Sequence, residues 1–270
     1  TSSDIAKAVA AARRLKIHFF ILGTGSNVLA PDNGFPGLVV KLKTTNYKLS
    51  GTKVWAEAGV SMATLVRETG KRGLAGLEWA GGLPGTVGGA VRGNAGAFGG
   101  EIKDAITQVE ALDGKGKRKT FSLKECQFGY RSSIFKEKNM VVLGATFQLR
   151  KGARAAIQAV AKDHIRYRKE RHPLEFPNAG SIFKNCDLKK VPKALREAMK
   201  DVIKVDPFPV IPAAALIARA GLKGLRMGDA QVSEKHPNYM VNLGNARAND
   251  VIGLIARVKK LIKKKFGVLL

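Results

Sequence analysis

The segment from Ala80 to Glu101, AGGLPGTVGGAVRGNAGAFGGE, constrains the fold more than any other stretch, because nine of the twenty residues from 81 to 100 are glycine. Glycine loses more conformational freedom on folding than other residues, so ordering this segment is costly. Pro84, Asn94 and several apolar residues interrupt the glycines, which is not the composition of a flexible linker. The pattern predicts a backbone that closely approaches a large flat or charged ligand. The alternative is a compact loop without a ligand.

Earlier in the chain, the loop LGTGSNVL from Leu22 to Leu29, which we call the first glycine loop, follows an apolar run of strand length. Glycines at positions 23 and 25 leave backbone N–H groups accessible, and Ser26 and Asn27 add side-chain donors, a combination that suits an anion. The loop lacks the third glycine that a dinucleotide-binding fingerprint places at the start of a helix. It predicts either a phosphate-binding loop or a tight turn between strands.

The charge of the chain restricts its partners. Its 270 residues include 47 Lys or Arg and 21 Asp or Glu, for a formal net charge of +26. This surplus suits nucleic acid or anionic substrates such as nucleotides. The densest basic tract, Lys259 to Phe266, ends a predicted amphipathic helix and is typical of a solvated helix face. No zinc-finger spacing, aromatic RNA-binding signature or basic-zipper heptad accompanies it, which disfavours nucleic acid.

Membrane, secretory and disulfide-rich classes are disfavoured on simpler grounds. No run of 18 apolar residues could span a bilayer, and the N-terminal stretch TSSDIAKAVAAARRLKIHFF has no uncharged apolar core. Cys126 and Cys186 alone cannot build a disulfide framework or a four-ligand zinc site. We expect a reduced, cytoplasmic protein with no membrane insertion and no metal.

Hydrophobic periodicity predicts a mixed α and β chain. Strands are predicted at residues 17–22, 38–42, 53–60, 109–112, 141–149 and 238–243, and helices at residues 4–15, 61–72, 151–171, 213–220 and 250–266. The helix from Lys151 to Arg171 precedes two prolines and is predicted to mark a domain boundary. An extended SIFKN segment would place Ser181, Phe183 and Asn185 on one face and Lys184 on the other.

Five motifs follow one another along the chain: LGTGSNVL, GLPGTVGGAVRGNAGAFGGE, FGYRSSIFK, NAGSIFKN and GLKGLRMGDAQVSEKHPNYMVN. In this order they closely resemble the UDP-N-acetylenolpyruvoylglucosamine reductase family of peptidoglycan synthesis, the MurB family, across nearly the whole chain. The segment from Cys186 to Pro212 resembles an insertion relative to shorter members. The family extends beyond both ends of this sequence and carries a catalytic glutamate in its C-terminal extension, so we expect the natural protein to be longer.

The resemblance implies an α+β fold. A vanillyl-alcohol-oxidase/PCMH-type FAD-binding domain of two subdomains is expected at residues 1–150, and a smaller α+β C-terminal substrate domain at residues 151–270. The implied activity is that of a UDP-N-acetylmuramate dehydrogenase, in which NADPH reduces FAD and the flavin then reduces the enolpyruvyl ether of UDP-N-acetylglucosamine to UDP-N-acetylmuramate. The resemblance implies no required protein partner.

The resemblance also implies two catalytic residues. Arg131 in GYRSS matches the arginine that stabilises negative charge on the substrate carboxylate, and its planar fork can pair with a carboxylate through two hydrogen bonds. Ser181 in AGSIFKN matches the proton donor, although a serine hydroxyl is a weak acid and needs neighbours that resupply its proton. Without the family motif, Ser181 would be an ordinary turn hydroxyl.

Substrate contacts are assigned to Tyr130, Lys184, Asn185 and His236, with a packing role as the alternative for Tyr130 and His236. The expected FAD-binding residues are Gly23, Thr24, Gly25, Ser26, Asn27, Leu83, Pro84, Gly85, Thr86, Gly88 and Gly89.

Two other functions remain open. Another FAD-dependent oxidoreductase of the same fold would leave the NAGSIFKN motif unexplained. A basic nucleic-acid-binding protein would bind DNA with a steep salt dependence and would carry no flavin.

Overall fold

The chain forms two compact units. The computed structural model describes residues 1–205 and 208–270. The first unit comprises residues 1–25 and 35–168, and the second comprises residues 26–34 and 169–270. The first glycine loop is therefore divided, with Gly23 to Gly25 in the first unit and Ser26 and Asn27 in the second.

The first unit mixes helices and strands. Its elements are, in chain order, α1 (Ser2–Arg14), β1 (Phe19–Leu22), β2 (Leu38–Lys41), β3 (Tyr47–Ser50), β4 (Lys53–Glu57), α2 (Met62–Lys71), β5 (Leu74–Ala75), α3 (Val87–Arg92), β6 (Gly96–Ala97), β7 (Gly100–Glu101), β8 (Ile106–Leu112), β9 (Arg118–Ser122), α4 (Ile134–Glu137), β10 (Val141–Gln148), β11 (Arg150–Lys151) and most of α5 (Arg154–Arg171).

An antiparallel sheet in the order β3-β4-β10-β8-β9 lies at the centre of the first unit. The middle strand, β10, is buried along almost its whole length, and α1 and α3 pack against it. Its residues Leu143, Ala145 and Phe147 are at most 1% exposed. A strand covered on both faces needs a nearly continuous apolar sequence, which VVLGATFQ provides.

A separate parallel pair of strands positions the first glycine loop. β1 pairs in register with β2, from Phe19 opposite Leu38 to Leu22 opposite Lys41. The Leu42 N–H continues this ladder by donating to the Leu22 carbonyl at 2.8 Å. The chain therefore leaves the strand at Gly23.

The glycine-rich segment is an ordered series of short elements. It contains α3 and the β6–β7 hairpin, whose turn residues Phe98 and Gly99 have φ values of +50° and +82°. Between these two elements, Asn94 also adopts a positive φ of +41°. The segment turns sharply at these positions, where the left-handed conformation favours glycine and tolerates asparagine.

Helix α5 belongs mostly to the first unit, which places the boundary later than the expected division between residues 150 and 151. Ile157 and Ala161 are buried. The ring Nδ1 of His164 lies 3.0 Å from the Glu78 carbonyl, and Arg168 Nε donates to the Gly81 carbonyl at 2.9 Å. Amphipathicity correctly predicted the helix, but it could not indicate which unit the helix packs on.

The second unit contains β12 (Asn178–Ser181), β13 (Cys186–Asp187), α6 (Lys193–Ala198), β14 (Val210–Ile211), α7 (Ala213–Arg219), β15 (Arg226–Met227), β16 (Ala230–Val232), β17 (Tyr239–Asn242) and α8 (Ala248–Phe266). Its sheet has the order β12-β17-β16-β15. The apolar face of α8 is fully buried at Leu254, Val258 and Ile262. None of the helices in the described residues is long and apolar enough to cross a membrane.

Most elements predicted from periodicity are present with shifted ends. The strand at residues 17–22 is β1, the helix at residues 151–171 is α5 preceded by β11, and the helix at residues 250–266 is α8. Every lysine of the tract from Lys259 to Lys265 is exposed on α8, as expected for a solvated helix face. The expected insertion from Cys186 to Pro212 includes Asp206 and Pro207, which lie outside the described residues.

The close contact between Gly100 and Trp79 predicts that Gly100→Ala destabilises the protein. A Cβ at Gly100 would lie 2.4 Å from Cδ1 and Cγ of the buried Trp79, so the indole would have to move. Overpacking of this kind costs about 1–3 kcal/mol, which should lower the melting temperature by several degrees.

The matched control is Gly114→Ala, because a Cβ there would have no neighbour within 4 Å in the part of the chain that the structure describes. Thermal denaturation of the two variants checks the prediction. Equal melting temperatures would show that the contact between Gly100 and Trp79 does not constrain the segment.

Candidate functional site

The two glycine loops predicted from the sequence meet in the first unit. A Cβ at Gly23 would lie 2.7 Å from Oγ1 of Thr86, so the two loops can approach only because Gly23 has no side chain. Gly25 has a φ of +79°, and among the described residues a Cβ there would meet only Leu22 Cδ1, at 3.9 Å. The backbone at Gly25 is therefore open, whereas Gly23 is closely packed.

Backbone hydrogen bonds fix the second glycine loop, which runs from Leu83 to Gly89. The Gly85 carbonyl accepts from the Met62 N–H at 3.0 Å, and the Val87 and Gly88 N–H groups donate to the carbonyls of Val60 and Ala58 at 2.8 and 2.9 Å. A Cβ at Gly88 would lie 2.8 Å from the Ala58 Cβ, so glycine is required there.

Side-chain burial within this loop differs from residue to residue. The buried Thr86 accepts from the Gly89 N–H at 3.4 Å and begins α3. Pro84 and Gly89 are exposed, whereas Leu83 is half-buried against the core. The predicted residues from Leu83 to Gly89 therefore form one fixed loop beside Gly23.

The remaining residues of the first glycine loop lie beside β12 in the second unit. A Cβ at Gly180 would lie 3.8 Å from Oδ1 of Asn27 and 3.9 Å from the Ser26 carbonyl oxygen. Gly180 itself has a φ of +76° and immediately precedes Ser181. The second unit thus brings Ser26 and Asn27 next to the predicted proton donor.

Arg131 is held against the glycine-rich segment in the first unit. Its Nη2 donates to the Gly96 carbonyl at 2.6 Å and its Nη1 to the Asn94 carbonyl at 3.5 Å. Its guanidinium carbon lies 5.1 Å from the ring centroid of Tyr130, within the range of a cation–π contact. Arg131 has a φ of +54°, a conformation that is rare for a residue with a side chain.

Ser181 is exposed at the end of β12, where it pairs with Tyr239 of β17. The predicted extension of this strand through SIFKN is wrong, because β12 ends at Ser181. Beyond Ser181, Asn238 makes the backbone hydrogen bonds that a paired strand would otherwise make. Its carbonyl accepts from the Ile182 N–H at 2.9 Å, and its side-chain amide bonds to both backbone groups of Phe183, each at 2.9 Å.

The expected face pattern of SIFKN therefore does not hold. Phe183 is buried, while Ser181 and Lys184 are exposed. Asn185 is half-buried, and its Oδ1 accepts from the Ala213 N–H at 3.2 Å at the start of α7. This bond gives Asn185 a structural role, and its contact with a substrate stays a prediction.

His236 belongs to a cluster of three rings in the second unit. Its ring centroid lies 5.3 Å from that of His172 and 4.8 Å from that of Tyr239, and the Tyr239 hydroxyl lies 3.0 Å from Nδ1 of His172. Burial lowers the pKa of His236 from its usual value, and Lys204 and Lys223 lower it further. His236 is therefore neutral at pH 7, which suits hydrogen bonding better than pairing with an anion.

Two residues that the sequence analysis did not assign to the site contact the predicted ones. Asn94 is fully buried and donates to the Gly129 carbonyl at 3.0 Å and to Glu101 at 3.3 Å. Glu101 is 6% exposed and pairs with Lys103 at 2.6 Å. Asn94 stands out in the sequence only as a polar residue among glycines, which is a weak signal.

Comparisons with known proteins divide the chain in a similar way. Residues 1–122 match the family model described as an FAD binding domain. Residues 172–270 match the model of the UDP-N-acetylenolpyruvoylglucosamine reductase C-terminal domain.

Whole-chain relatives carry the same family description. The UDP-N-acetylenolpyruvoylglucosamine reductase of Carboxydothermus hydrogenoformans is 42% identical over 93% of this chain and 77% of its own length. That of Caldanaerobacter subterraneus subsp. tengcongensis is 40% identical over 98% of this chain and 81% of its own. The crystal structure of the reductase MurB from Thermus caldophilus aligns with a TM-score of 0.77 at 34% identity, covering 96% of this chain and 85% of that one. These matches confirm the expected α+β fold with an FAD-binding domain followed by a reductase C-terminal domain.

The lowered pKa of His236 predicts an acid-sensitive contribution to stability. Below about pH 6.5 the unfolded chain takes up a proton on this histidine while the folded chain does not, so folding becomes less favourable until the pH falls below the lowered pKa. His236→Gln should therefore lose less stability on acidification than the wild type.

The measurement is the melting temperature between about pH 7.5 and about pH 5, the window that brackets the ordinary histidine pKa. The control is His18→Gln, because His18 is exposed. If His236→Gln and wild type lose stability equally, His236 is not held neutral by its surroundings.

Proposed function

The chain belongs to the UDP-N-acetylenolpyruvoylglucosamine reductase family, and we propose that it reduces the enolpyruvyl ether of UDP-N-acetylglucosamine to UDP-N-acetylmuramate, a precursor of peptidoglycan. NADPH is the reductant and FAD is the cofactor. One observation carries the proposal: an FAD-binding domain and the C-terminal domain specific to this reductase occur in one chain. The second domain also distinguishes this function from that of another flavoenzyme of the same fold. Neither domain description is that of a nucleic-acid-binding protein.

The residues of the first unit fit FAD at the two glycine loops. Gly25 leaves open space beside its backbone, Gly23 allows the loops to meet, and Thr24 adds an exposed hydroxyl. The second loop is fixed before any ligand arrives, since its backbone is bonded to residues 58–62. Such preorganised backbone suits a pyrophosphate or a flat ring system. For the first unit we assign FAD contacts to Gly23–Gly25 and the loop from Leu83 to Gly89, and for Ser26 and Asn27 the contact stays a prediction from the sequence.

When bound, FAD supplies the hydride chemistry that connects NADPH with the enolpyruvyl double bond. Reduction of a double bond conjugated with a carboxylate places negative charge on that carboxylate. Arg131 stabilises this charge, because a guanidinium fixed by backbone carbonyls needs little reorganisation to bind it. The two carbonyls accept two of its five N–H donors, which leaves donors for a carboxylate.

Ser181 provides the proton that the C2 carbon of the enolpyruvyl group requires. Its exposure makes the hydroxyl accessible to a substrate, and the Gly180 N–H, which donates to Oδ1 of Asn178 at 3.0 Å, holds the backbone directly before it. Lys184, Asn185, Tyr130 and His236 are proposed to contact the substrate.

We also propose a cytoplasmic setting. It is supported by Cys126 and Cys186, which are both free thiols, as is usual for proteins kept in a reducing compartment.

The proposed function is tested by assaying NADPH oxidation by the FAD-loaded protein, with and without enolpyruvyl-UDP-N-acetylglucosamine. We expect oxidation that depends on the enolpyruvyl sugar and forms UDP-N-acetylmuramate in equal amount. NADPH oxidation that ignores the sugar and consumes only oxygen would contradict the proposal.

Ser181→Ala should separate the two halves of the reaction. Reduction of the flavin by NADPH does not use a proton donor at the sugar, so flavin absorbance should bleach at a near-normal rate. Recovery of the absorbance on adding the enolpyruvyl sugar should slow about 10²-fold or more, the usual range for loss of a general acid.

Stopped-flow absorbance measures both phases. The control is Ser50→Ala, since Ser50 is an exposed serine of β3. Equal slowing of both phases in Ser181→Ala would indicate a structural role for this serine.

A further inference from the structure

Asn94 connects three segments around Arg131. Its side-chain Nδ2 donates to the Gly129 carbonyl at 3.0 Å and to Oε2 of Glu101 at 3.3 Å, while its Oδ1 accepts from the Lys103 N–H at 3.2 Å. Asn94 is 0% exposed, so these bonds form without competition from water. The segment that carries Asn94, the start of the 101–104 turn and the turn before Arg131 are thereby joined by one side chain.

The backbone of the same residue holds the Arg131 guanidinium. The Asn94 carbonyl accepts from Nη1 at 3.5 Å, and the Gly96 carbonyl accepts from Nη2 at 2.6 Å. The position of these two carbonyls depends on the left-handed turn at Asn94, whose φ is +41°. Asparagine suits this turn, because its short polar side chain tolerates the left-handed region better than most residues.

A carboxylate lies beside this guanidinium. A Cβ at Gly96 would lie 2.7 Å from Glu101 Cγ and 3.1 Å from Arg131 Nη1, so the two side chains flank the same glycine. Oε2 of Glu101 is bonded to Asn94 and paired with Lys103 at 2.6 Å. Its other oxygen, Oε1, is buried and has no hydrogen-bond partner within residues 1–205 and 208–270.

A buried carboxylate oxygen without a partner attracts a neighbouring guanidinium strongly. If Glu101 turned toward Arg131, it would occupy the donors that a substrate carboxylate needs. The amide of Asn94 and the ammonium of Lys103 both bind Oε2 of Glu101 and so hold the carboxylate in its present orientation. These contacts therefore keep the protein's own carboxylate from competing for Arg131.

We propose that Asn94 is a positioning residue for Arg131, which fixes the guanidinium on two backbone carbonyls and holds Glu101 away so that Arg131 stays available to a carboxylate ligand. This inference rests on the proposed function of Arg131. It assigns a task to Asn94 and Glu101 that neither the family description nor the motif match assigns.

Two nearly isosteric variants change these contacts in opposite ways. Asn94→Asp keeps the volume and the tolerance for the left-handed turn, but it removes the donor to Glu101 and to the Gly129 carbonyl and places a second carboxylate beside Glu101. Glu101→Gln keeps an acceptor for the Asn94 amide and removes the negative charge next to Arg131. A purely structural role predicts that both variants weaken the site, whereas positioning predicts that only Asn94→Asp weakens it.

The experiment uses FAD-loaded protein and enolpyruvyl-UDP-N-acetylglucosamine. Binding of the sugar to the oxidised protein is followed by the change in flavin absorption, and the two half-reactions are followed by stopped flow. Asn94→Asp should retain flavin, accept electrons from NADPH within about twofold of the wild-type rate, and bind and reduce the sugar about 10²-fold less well, the usual loss for one oriented donor. Glu101→Gln should bind the sugar at least as tightly as wild type.

The double variant Asn94→Asp/Glu101→Gln exchanges the donor and acceptor of the side-chain pair and keeps one carboxylate, while the bond to the Gly129 carbonyl stays lost. It should recover at least about tenfold of the binding lost in Asn94→Asp, a coupling of about 1.4 kcal/mol. Weaker binding in Glu101→Gln, no recovery in the double variant, or unchanged binding in Asn94→Asp would each overturn the inference.

Two further outcomes keep the test decisive. If Asn94→Asp does not fold, the inference depends on Glu101→Gln alone and is overturned by a loss of sugar affinity in that variant. If the wild-type protein binds flavin but neither binds nor reduces the enolpyruvyl sugar, the proposed function fails and this inference fails with it. Normal wild-type activity with no difference among the variants contradicts only the role of Asn94.

Discussion

The close approach of backbone segments in the first unit is the constraint on which the candidate site depends. Gly23 meets Thr86, Gly88 meets Ala58 and Gly100 meets Trp79 at distances that leave no room for a Cβ. Each glycine carries an entropic cost on folding, which the surrounding core has to offset. The result is a set of loops whose backbone groups are fixed before a ligand arrives. This rigidity explains why a segment so rich in glycine is ordered.

Charged side chains are held against the same backbone segments. Arg131 is held by carbonyl oxygens of the glycine-rich segment, so its positive charge is fixed in direction, and none of the ion pairs among residues 1–205 and 208–270 joins it to a carboxylate. Glu101, the nearby acid, is bonded to Asn94 and Lys103. A fixed cation with donors to spare suits a reaction in which charge develops on a carboxylate. The geometry of the segment and the proposed chemistry therefore depend on the same backbone turns.

Local sequence predicted the features that local physics controls. The spacing of apolar residues indicated α5 and α8, and Gly23, Gly85, Gly88 and Gly89 indicated loops that the structure places side by side. Contacts between residues that are far apart in the chain could not be predicted from local sequence. β12 ends at Ser181 because Asn238, far along the chain, bonds to the backbone of Phe183, and Asn185 is directed toward the N–H of Ala213. The role of Asn94 was missed for the same reason, since its partners lie on two other segments.

If the two glycine loops form a preorganised binding site for a flavin, the flavin-free protein should bind FAD, and a titration with FAD measures this binding. Flavin absorption and fluorescence should change with saturable one-to-one binding, and acid denaturation should release the flavin into the supernatant unmodified. Gly23→Ala would place a Cβ 2.7 Å from Oγ1 of Thr86 and drive the two loops apart. It should weaken FAD binding in a protein that still folds. If adding the folded protein leaves the FAD spectrum unchanged, the two glycine loops do not bind a flavin.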